Sequence, residues 1–265
     1  SINLDCITSN IARAIDGVDL VIVTVPTTAH EVIAAALAPI LPNGVPLLLH
    51  PGHSGGALHF RHTLKQTGYK GDLVLGETNT LRYIARKKDS KTINISGVTK
   101  NLIIAPLPAI NRDRLIERVI QCFPDIKPAR TVLATTLRNP NSMMHPPCMI
   151  LGAAWIEHSH GDFNFYYDGA TPAVEKLMEN IDRERQAVGI AWNEPVEPLI
   201  EMLLNLNVTT PEAAASSSLQ RAFLESVGNR WVKAPSSLDD RYMHEDLGNG
   251  LVPIAALGEA VGVQS

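Results

Sequence analysis

Apolar and polar positions along this chain follow two regimes that meet near residues 137–141. In the first, short continuous apolar runs alternate with amphipathic stretches. Residues 19–25 (Asp-Leu-Val-Ile-Val-Thr-Val) form a β-branched run that predicts a strand buried on both faces, stopped by Pro26. Thr28-Ala-His-Glu31 has the S/T-x-x-E spacing of a capping box and predicts a helix to about Leu41. Asn43-Gly44 marks a turn, residues 45–50 a second buried strand, and Pro51-Gly52 its end. Gly55-Gly56 precede an amphipathic helix to about Gln66, and residues 72–76 read as a third strand. Residues 92–95 and 102–105 predict two short strands around a turn at Gly97. A helix over 113–122 places Leu115, Ile116, Val119 and Ile120 on one face. This alternation predicts an α/β layer with a parallel sheet over residues 1–138.

Residues 139–265 predict an all-helical unit. Pro146-Pro147 stand where a helix to about Glu157 begins. Thr171-Pro172 and Thr210-Pro211 each combine an N-cap with proline at the first helical position. The long helix after Thr171 is read with Val174, Leu177, Met178, Ile181, Val188 and Trp192 inward. Residues 213–218 read as a helix of small residues, and Trp155, Trp192 and Trp231 as core.

A length of 265 residues suggests about two domains. Hydrophobic residues at 45% and charged residues at 19% give a globular composition and argue against disorder. With 23 Lys+Arg against 27 Asp+Glu the net charge is −4, and no basic stripe points to nucleic acid or an anionic membrane surface. No apolar run approaches the roughly 18 residues of a membrane span. Three distant cysteines (Cys6, Cys122, Cys148) make no disulfide framework and fit a reducing, cytoplasmic setting. The opening Ser1–Cys6 lacks the positive start and long apolar run of a signal peptide.

Two clusters carry candidate chemistry. In Asn139-Pro-Asn141-Ser-Met-Met-His145-Pro-Pro147, the prolines put His145 at or just before a helix N-terminus, whose free N–H groups favour a neutral imidazole. With a carboxylate pulling the other way, such a histidine exchanges a proton near neutral pH. Read locally, it could equally be a helix cap. In Lys233-Ala-Pro235-Ser-Ser-Leu-Asp-Asp-Arg241-Tyr-Met-His-Glu-Asp246, Arg241 could fork onto a carboxylate and Asp246 could orient an imidazole. The same charges would also suit a solvated helix end.

These blocks carry a resemblance. Asn139-x-Asn141-x-x-x-His145-Pro, Tyr166-x-x-Gly169-x-Thr171-Pro172-Ala-Val, Asp182-x-Glu184-Arg185, the Lys233–Asp246 block and Gly250-Leu-Val-Pro253 resemble the helical domain of the octopine/nopaline (opine) dehydrogenase family. In the α/β half, Val23-Thr-Val-Pro26 with Ala29-His30-Glu31, Pro51-Gly52-x-x-Gly55-Gly56 and Glu77-Thr78 follow the same family's order. The resemblance implies a Rossmann-type sheet domain joined to a helical substrate domain, with the site in the cleft between them. It implies an NAD- or NADP-dependent enzyme that condenses a 2-oxo acid with an amino acid and reduces the imine, and that runs the reverse oxidation. Carried over by position, His145 is the acid/base, Asp246 its carboxylate partner, and Arg241 with Asn141 the substrate contacts. Val25, Pro26, Thr27 and Glu77, at the carboxyl ends of strands, are the candidate cofactor contacts, though Thr27 and Glu77 could equally only cap helices. The family's glycine-rich G-x-G-x-x-G turn does not occur in this sequence. The expectation is therefore a partial Rossmann-type domain, with roughly 70–100 residues of its first half outside this chain.

Other readings stand beside this one. His50-x-x-His53, His59-x-x-His62 and His158-Ser-His160 raise a zinc hydrolase, but no H-E-x-x-H, cysteine pair or suitably spaced carboxylate accompanies them. Phe163-x-Phe165-Tyr166-Tyr167 reads as packing between the two domains, or as a wall beside the substrate. A 2-dehydropantoate or glycerol-3-phosphate reductase would use lysine at the catalytic position. A non-catalytic relative would show an exposed apolar face where strands are absent.

Overall fold

The computed structural model describes residues 4–226 and 228–264; Ser1 to Asn3, read above for a leader, lie outside it, as do Val227 and Ser265. The chain runs α1 (Ile11–Ala14), β1 (Val21–Val23), α2 (His30–Leu37), β2 (Pro46–Leu49), α3 (Gly56–Gln66), β3 (Val74–Thr78), β4 (Tyr83–Lys87), β5 (Ile93–Val98), β6 (Ile103–Leu107), α4 (Arg112–Cys122), β7 (Lys127–Pro128) and α5 (Val132–Leu137). It continues α6 (Asn141–Leu151), α7 (Ala153–Ser159), α8 (Pro172–Ala191), α9 (Leu199–Asn205), α10 (Pro211–Ala215), α11 (Leu219–Leu224), α12 (Arg241–His244) and α13 (Val252–Glu259). Among the described residues no helix is long and apolar enough to cross a membrane.

The main sheet has the order β1-β2-β3-β6-β7, with β1, β2 and β3 parallel. Side chains of a strand alternate between faces. Leu47 and Leu49 therefore pack with Ala34, Leu37, Phe60 and Leu64 of α2 and α3. Leu48 and Val74 turn the other way, onto Leu115 and Val119 of α4. This α/β layer beside an all-helical layer is the partial Rossmann-type domain with a helical domain that the family resemblance implies.

Several local expectations are corrected. The sheet is mixed, because β6 returns antiparallel beside β3 after the β4–β5 hairpin instead of through a crossover helix. Gly97 lies within β5 opposite Ile84, and the hairpin turns at Asp89, whose carboxylate accepts the Lys91 N–H. Among the described residues β1 pairs only with β2, and Ile22 on one of its faces is 36% exposed. The Thr28 capping box does not form: residues Thr27–Ala29 make a single 3₁₀ turn and α2 starts at His30 without a side-chain cap. On α4, Ile120 faces solvent.

The helical layer surrounds a second core containing Met149, Phe165, Met178, Leu203 and Phe223. Thr171 caps α8 and Thr210 caps α10, each accepting an N–H three residues on, as the Thr-Pro pairs predict. α10 ends at Ala215, and a turn separates it from α11. Asp182 and Arg185 are both buried: Arg185 donates to Asp182 Oδ1 and the Leu137 carbonyl, and Asp182 Oδ2 accepts the Leu199 N–H. That pair ties α8 to the start of α9 and to the end of α5. The tryptophans are not core: Trp155, Trp192 and Trp231 are 43%, 40% and 72% exposed. Trp155 lies flat on Phe163, and the Trp192 indole N–H donates to the Leu257 carbonyl.

His30 is fully buried against Phe60 at a ring distance of 5.9 Å, with both ring nitrogens unbonded. Burial first, then neighbouring His53 and His59, pushes it down to about 4. As pH falls below about 6.5 the unfolded chain takes up a proton that the folded chain refuses until about 4. His30 thus lowers stability progressively across that window as pH falls. In urea titrations from pH 7.5 to 4, the gain in stability of His30→Leu over the parent should grow by about 3 kcal/mol on acidification. A pH-independent difference would remove this assignment.

Candidate active site

α6 starts at Asn141 because the Asn139 side-chain oxygen accepts the Asn141 N–H at 3.1 Å and the Pro140 carbonyl receives Met143 and Met144. His145 therefore sits in the second turn, and Pro146 and Pro147 are inside the helix instead of opening it. Two side chains set its tautomer. His145 Nδ1 lies 2.6 Å from Asp246 Oδ2. A carboxylate only accepts, so Nδ1–H is the donor and Nε2 is left as acceptor for the Tyr166 hydroxyl at 2.6 Å. Burial, then Tyr242, Cys148 and Asp246, holds that phenol well above its ordinary range. Tyr242 stacks on the imidazole at 3.9 Å and 25°.

A second imidazole completes the cluster. His53, at φ 59°, approaches Asp246 Oδ1 at 3.4 Å and Glu245 Oε1 at 3.6 Å through Nε2. Its Nδ1 accepts from the Asn139 amide at 2.8 Å, which places the proton on Nε2, facing both carboxylates. Burial lowers its pKa, against the pull of Asp246 and Glu245.

The segment bearing these acids is held at both ends. The Asp240 side chain caps α12, accepting the Tyr242 N–H at 2.9 Å. After α12 a π-helical turn, Leu247–Leu251, leads into α13, and its Asn249 carbonyl accepts the Ser54 N–H. π turns recur at functional sites. Glu245 Oε1 accepts the Thr27 N–H at 2.7 Å, while Oε2 faces Arg241 Nη1 at 3.6 Å. Arg241, half exposed, also lies over the Tyr242 ring at 5.6 Å. Arg241, Asn141, His145 and Tyr166 line one cleft of about 100 Å³.

The structure thus brings His145, Asp246, Arg241 and Asn141 together. The cofactor candidates separate. Val25 and Pro26 lie at the end of β1, half-buried and exposed. Thr27 is buried beside a largely apolar interlayer cavity of about 730 Å³, and its hydroxyl has no partner. Glu77 holds the helix-capping position, the second of its two readings: it lies fully buried beneath the start of α3 and lines neither the cleft nor the interlayer cavity. Its oxygens accept the Ala57 N–H at 2.7 Å and the Thr135 hydroxyl at 2.5 Å. Burial pushes its carboxyl up to about 7 against those two bonds, so its contribution to stability falls as pH rises from about 4.5 to about 7.

Sequence reasoning missed Tyr166, His53 and Glu245. Tyr166 belongs to the aromatic run expected to pack between the domains or to form a wall beside the substrate; Phe163, Phe165 and Tyr166 fill the helical core, and Tyr166 also lines the cleft, with its hydroxyl on His145. His53 was visible only as one half of a metal-like pair. Among the described residues no group of three or more His, Cys, Asp or Glu is placed to hold a metal ion.

Residues 128–265 match the family model described as NAD/NADP octopine/nopaline dehydrogenase, alpha-helical domain. An opine dehydrogenase of Arthrobacter sp. (strain 1C) is 32% identical over 259 residues, spanning 98% of this chain and 70% of that protein. Octopine dehydrogenase bound to NADH and L-arginine superposes with a TM-score of 0.72 at 20% identity, over 98% of this chain and 69% of that one. Yersinopine dehydrogenase without ligand gives 0.74 at 13% identity, over 99% and 71%. The chain belongs to the octopine/nopaline (opine) dehydrogenase family, a family of NAD- or NADP-dependent oxidoreductases.

The close approach of Gly52 to Glu77 tests how rigidly this buried carboxyl is held beneath α3. A Cβ at Gly52 would lie 2.2 Å from Glu77 Oε2 and 2.5 Å from Glu77 Cβ, both within a fully buried side chain. Gly52→Ala should cost about 1–3 kcal/mol in urea unfolding. An unchanged midpoint would show that Glu77 is free to move.

Proposed function

We propose that this protein catalyses the NAD(P)H-dependent condensation of a 2-oxo acid with an amino acid, and the reverse oxidation of the N-(carboxyalkyl) amino acid. The observation that carries this reading is His145, fixed between Asp246 and Tyr166 at 2.6 Å each, in a cleft shared with Arg241 and Asn141.

The end of β1 fits a nicotinamide cofactor. The Thr27 hydroxyl is buried without a partner beside the interlayer cavity, so Thr27 would hold the group there, with Val25 and Pro26 preceding it at the strand end. When bound, the reduced nicotinamide supplies hydride to the imine carbon.

The chain's own residues do the rest. Amine addition to the oxo carbon gives a carbinolamine, whose hydroxyl must leave as water and therefore needs a proton. A protonated His145 can release one from Nε2 to the Tyr166 oxygen as Tyr166 passes its own to the departing hydroxyl. The phenol is not ionised at either end of this transfer, in keeping with its raised pKa. Asp246 fixes the ring through Nδ1–H and stabilises the charged imidazole. Arg241 offers a guanidinium to the 2-oxo acid carboxylate, and Asn141, beside it, a neutral donor and acceptor.

His145→Ala should reduce turnover by about 10²–10⁴-fold with an unchanged circular dichroism spectrum; near-normal turnover would remove the acid/base role. Arg241→Ala should raise KM for the 2-oxo acid by at least about 10-fold, the loss of a charge-assisted carboxylate contact. An unchanged KM would exclude that contact. Oxidation of NADH or NADPH in the presence of pyruvate and a panel of amino acids tests the overall reaction.

A further inference from the structure

Arg241 is not the only guanidinium on the cleft. The β4–β5 hairpin leaves the α/β layer and leans on the helical one: the Ser96 hydroxyl donates to the Gly228 carbonyl, Asn207 to the Val98 carbonyl, and the Lys100 N–H to the Leu206 carbonyl. In the hairpin register Arg86 pairs with Asn94, and the hairpin face that carries both also carries Ser96, all three lining one groove across the irregularity at Ile84/Ala85. That face meets the helical layer. Arg86 lines the cleft that holds His145, Tyr166 and Arg241. It also lines, again with Arg241, a contiguous groove of about 640 Å³ walled by Trp231, Val232 and Pro235. Among the described residues its guanidinium pairs with no carboxylate and donates only to the carbonyl of its neighbour Ala85. The third cation of the groove, Lys233, is bound to Asp162 at 2.9 Å.

The reaction proposed above joins two acids, so its imine and its product carry two carboxylates, one on each side of the reacting nitrogen. One guanidinium cannot neutralise both while keeping the reacting carbon at a fixed nitrogen. We propose that Arg86 anchors the carboxylate of the amino-acid substrate, with the adjoining groove taking its side chain, while Arg241 across the cleft holds the carboxylate of the 2-oxo acid. The proposal deepens the opine-dehydrogenase reading and rests on it. It makes Arg86 a binding residue supplied by the α/β chain segment, over a helical site.

Two measurements separate this assignment from the reading beneath it. In turnover with pyruvate and alanine, Arg86→Ala should raise KM for alanine by about 10–100-fold and leave KM for pyruvate within about twofold; Arg241→Ala should do the reverse. Arg86→Lys should recover part of the loss, since an ammonium supplies charge without the planar fork. In equilibrium calorimetry, which needs no turnover, the protein should bind 2,2′-iminodipropionate more tightly than N-ethylalanine, which lacks one carboxylate. Arg86→Ala should weaken dicarboxylate binding by about 10–100-fold. An Arg86→Ala protein that binds the dicarboxylate as the parent does, or that loses pyruvate in place of alanine, overturns the anchor and leaves the reaction standing. A parent protein that binds no dicarboxylate overturns the anchor as well. Dicarboxylate binding that depends on Arg86, without condensation of any acid and amine pair, supports the anchor and counts against the reaction.

Discussion

The carboxylate of Asp246 is the constraint on which the rest of this site depends. One oxygen takes the Nδ1–H of His145 on α6, and the other faces the Nε2–H of His53 in the loop before α3. A buried carboxylate is costly unless its charge is met by donors. Here the helical layer supplies the one hydrogen bond, from His145, while the second oxygen has no hydrogen-bond partner among the described residues and faces His53 of the sheet layer at 3.4 Å. The adjacent residue repeats the theme, since Glu245 accepts the Thr27 N–H from the end of β1 and faces Arg241 on its own helix. Two neighbouring acids near the end of the chain thus fasten the sheet layer to the helical layer, and the cleft lies at that seam.

This arrangement explains why the chemistry concentrates where it does. The layers have separate cores, one on the sheet and one around Phe165 and Phe223. Between them lie the polar cluster around Asp246 and the largely apolar cavity beside Thr27. His145 is held in one tautomer by bonds at both nitrogens, and its ring plane is held by Tyr242. Little reorganisation is left for the moment of proton transfer. The β4–β5 hairpin adds a wall that belongs to the sheet segment in sequence and to the helical layer in contact.

How much of this was legible in the sequence depended on range. β2 was readable because residues on both its faces are buried, giving an uninterrupted apolar run, and the Thr-Pro starts of α8 and α10 were readable because capping is local. β1 carries a similar run but pairs only with β2 among the described residues, and sheet order is not written in a single strand. The Pro146-Pro147 pair looked like a helix start because prolines favour first turns, yet Asn139 and Pro140 had already begun the helix upstream. His145 and Asp246 lie 101 positions apart. No spacing joins them, and only resemblance to a family suggested the pair. Tyr166 and His53 were hidden for the same reason: each reaches the cluster through tertiary contact, while its local pattern resembles ordinary packing or a metal pair.

The tryptophans, misread as core, give the molecule an optical property. Trp192 lines the interlayer cavity beside Thr27, Trp231 lines the groove beside Arg86, and Trp155 is stacked on Phe163 away from both. The three indoles sample separate environments at partly solvated positions. Intrinsic emission from Trp192 and Trp231 therefore reports on the filling of the two cavities, with Trp155 as an internal reference that neither one touches.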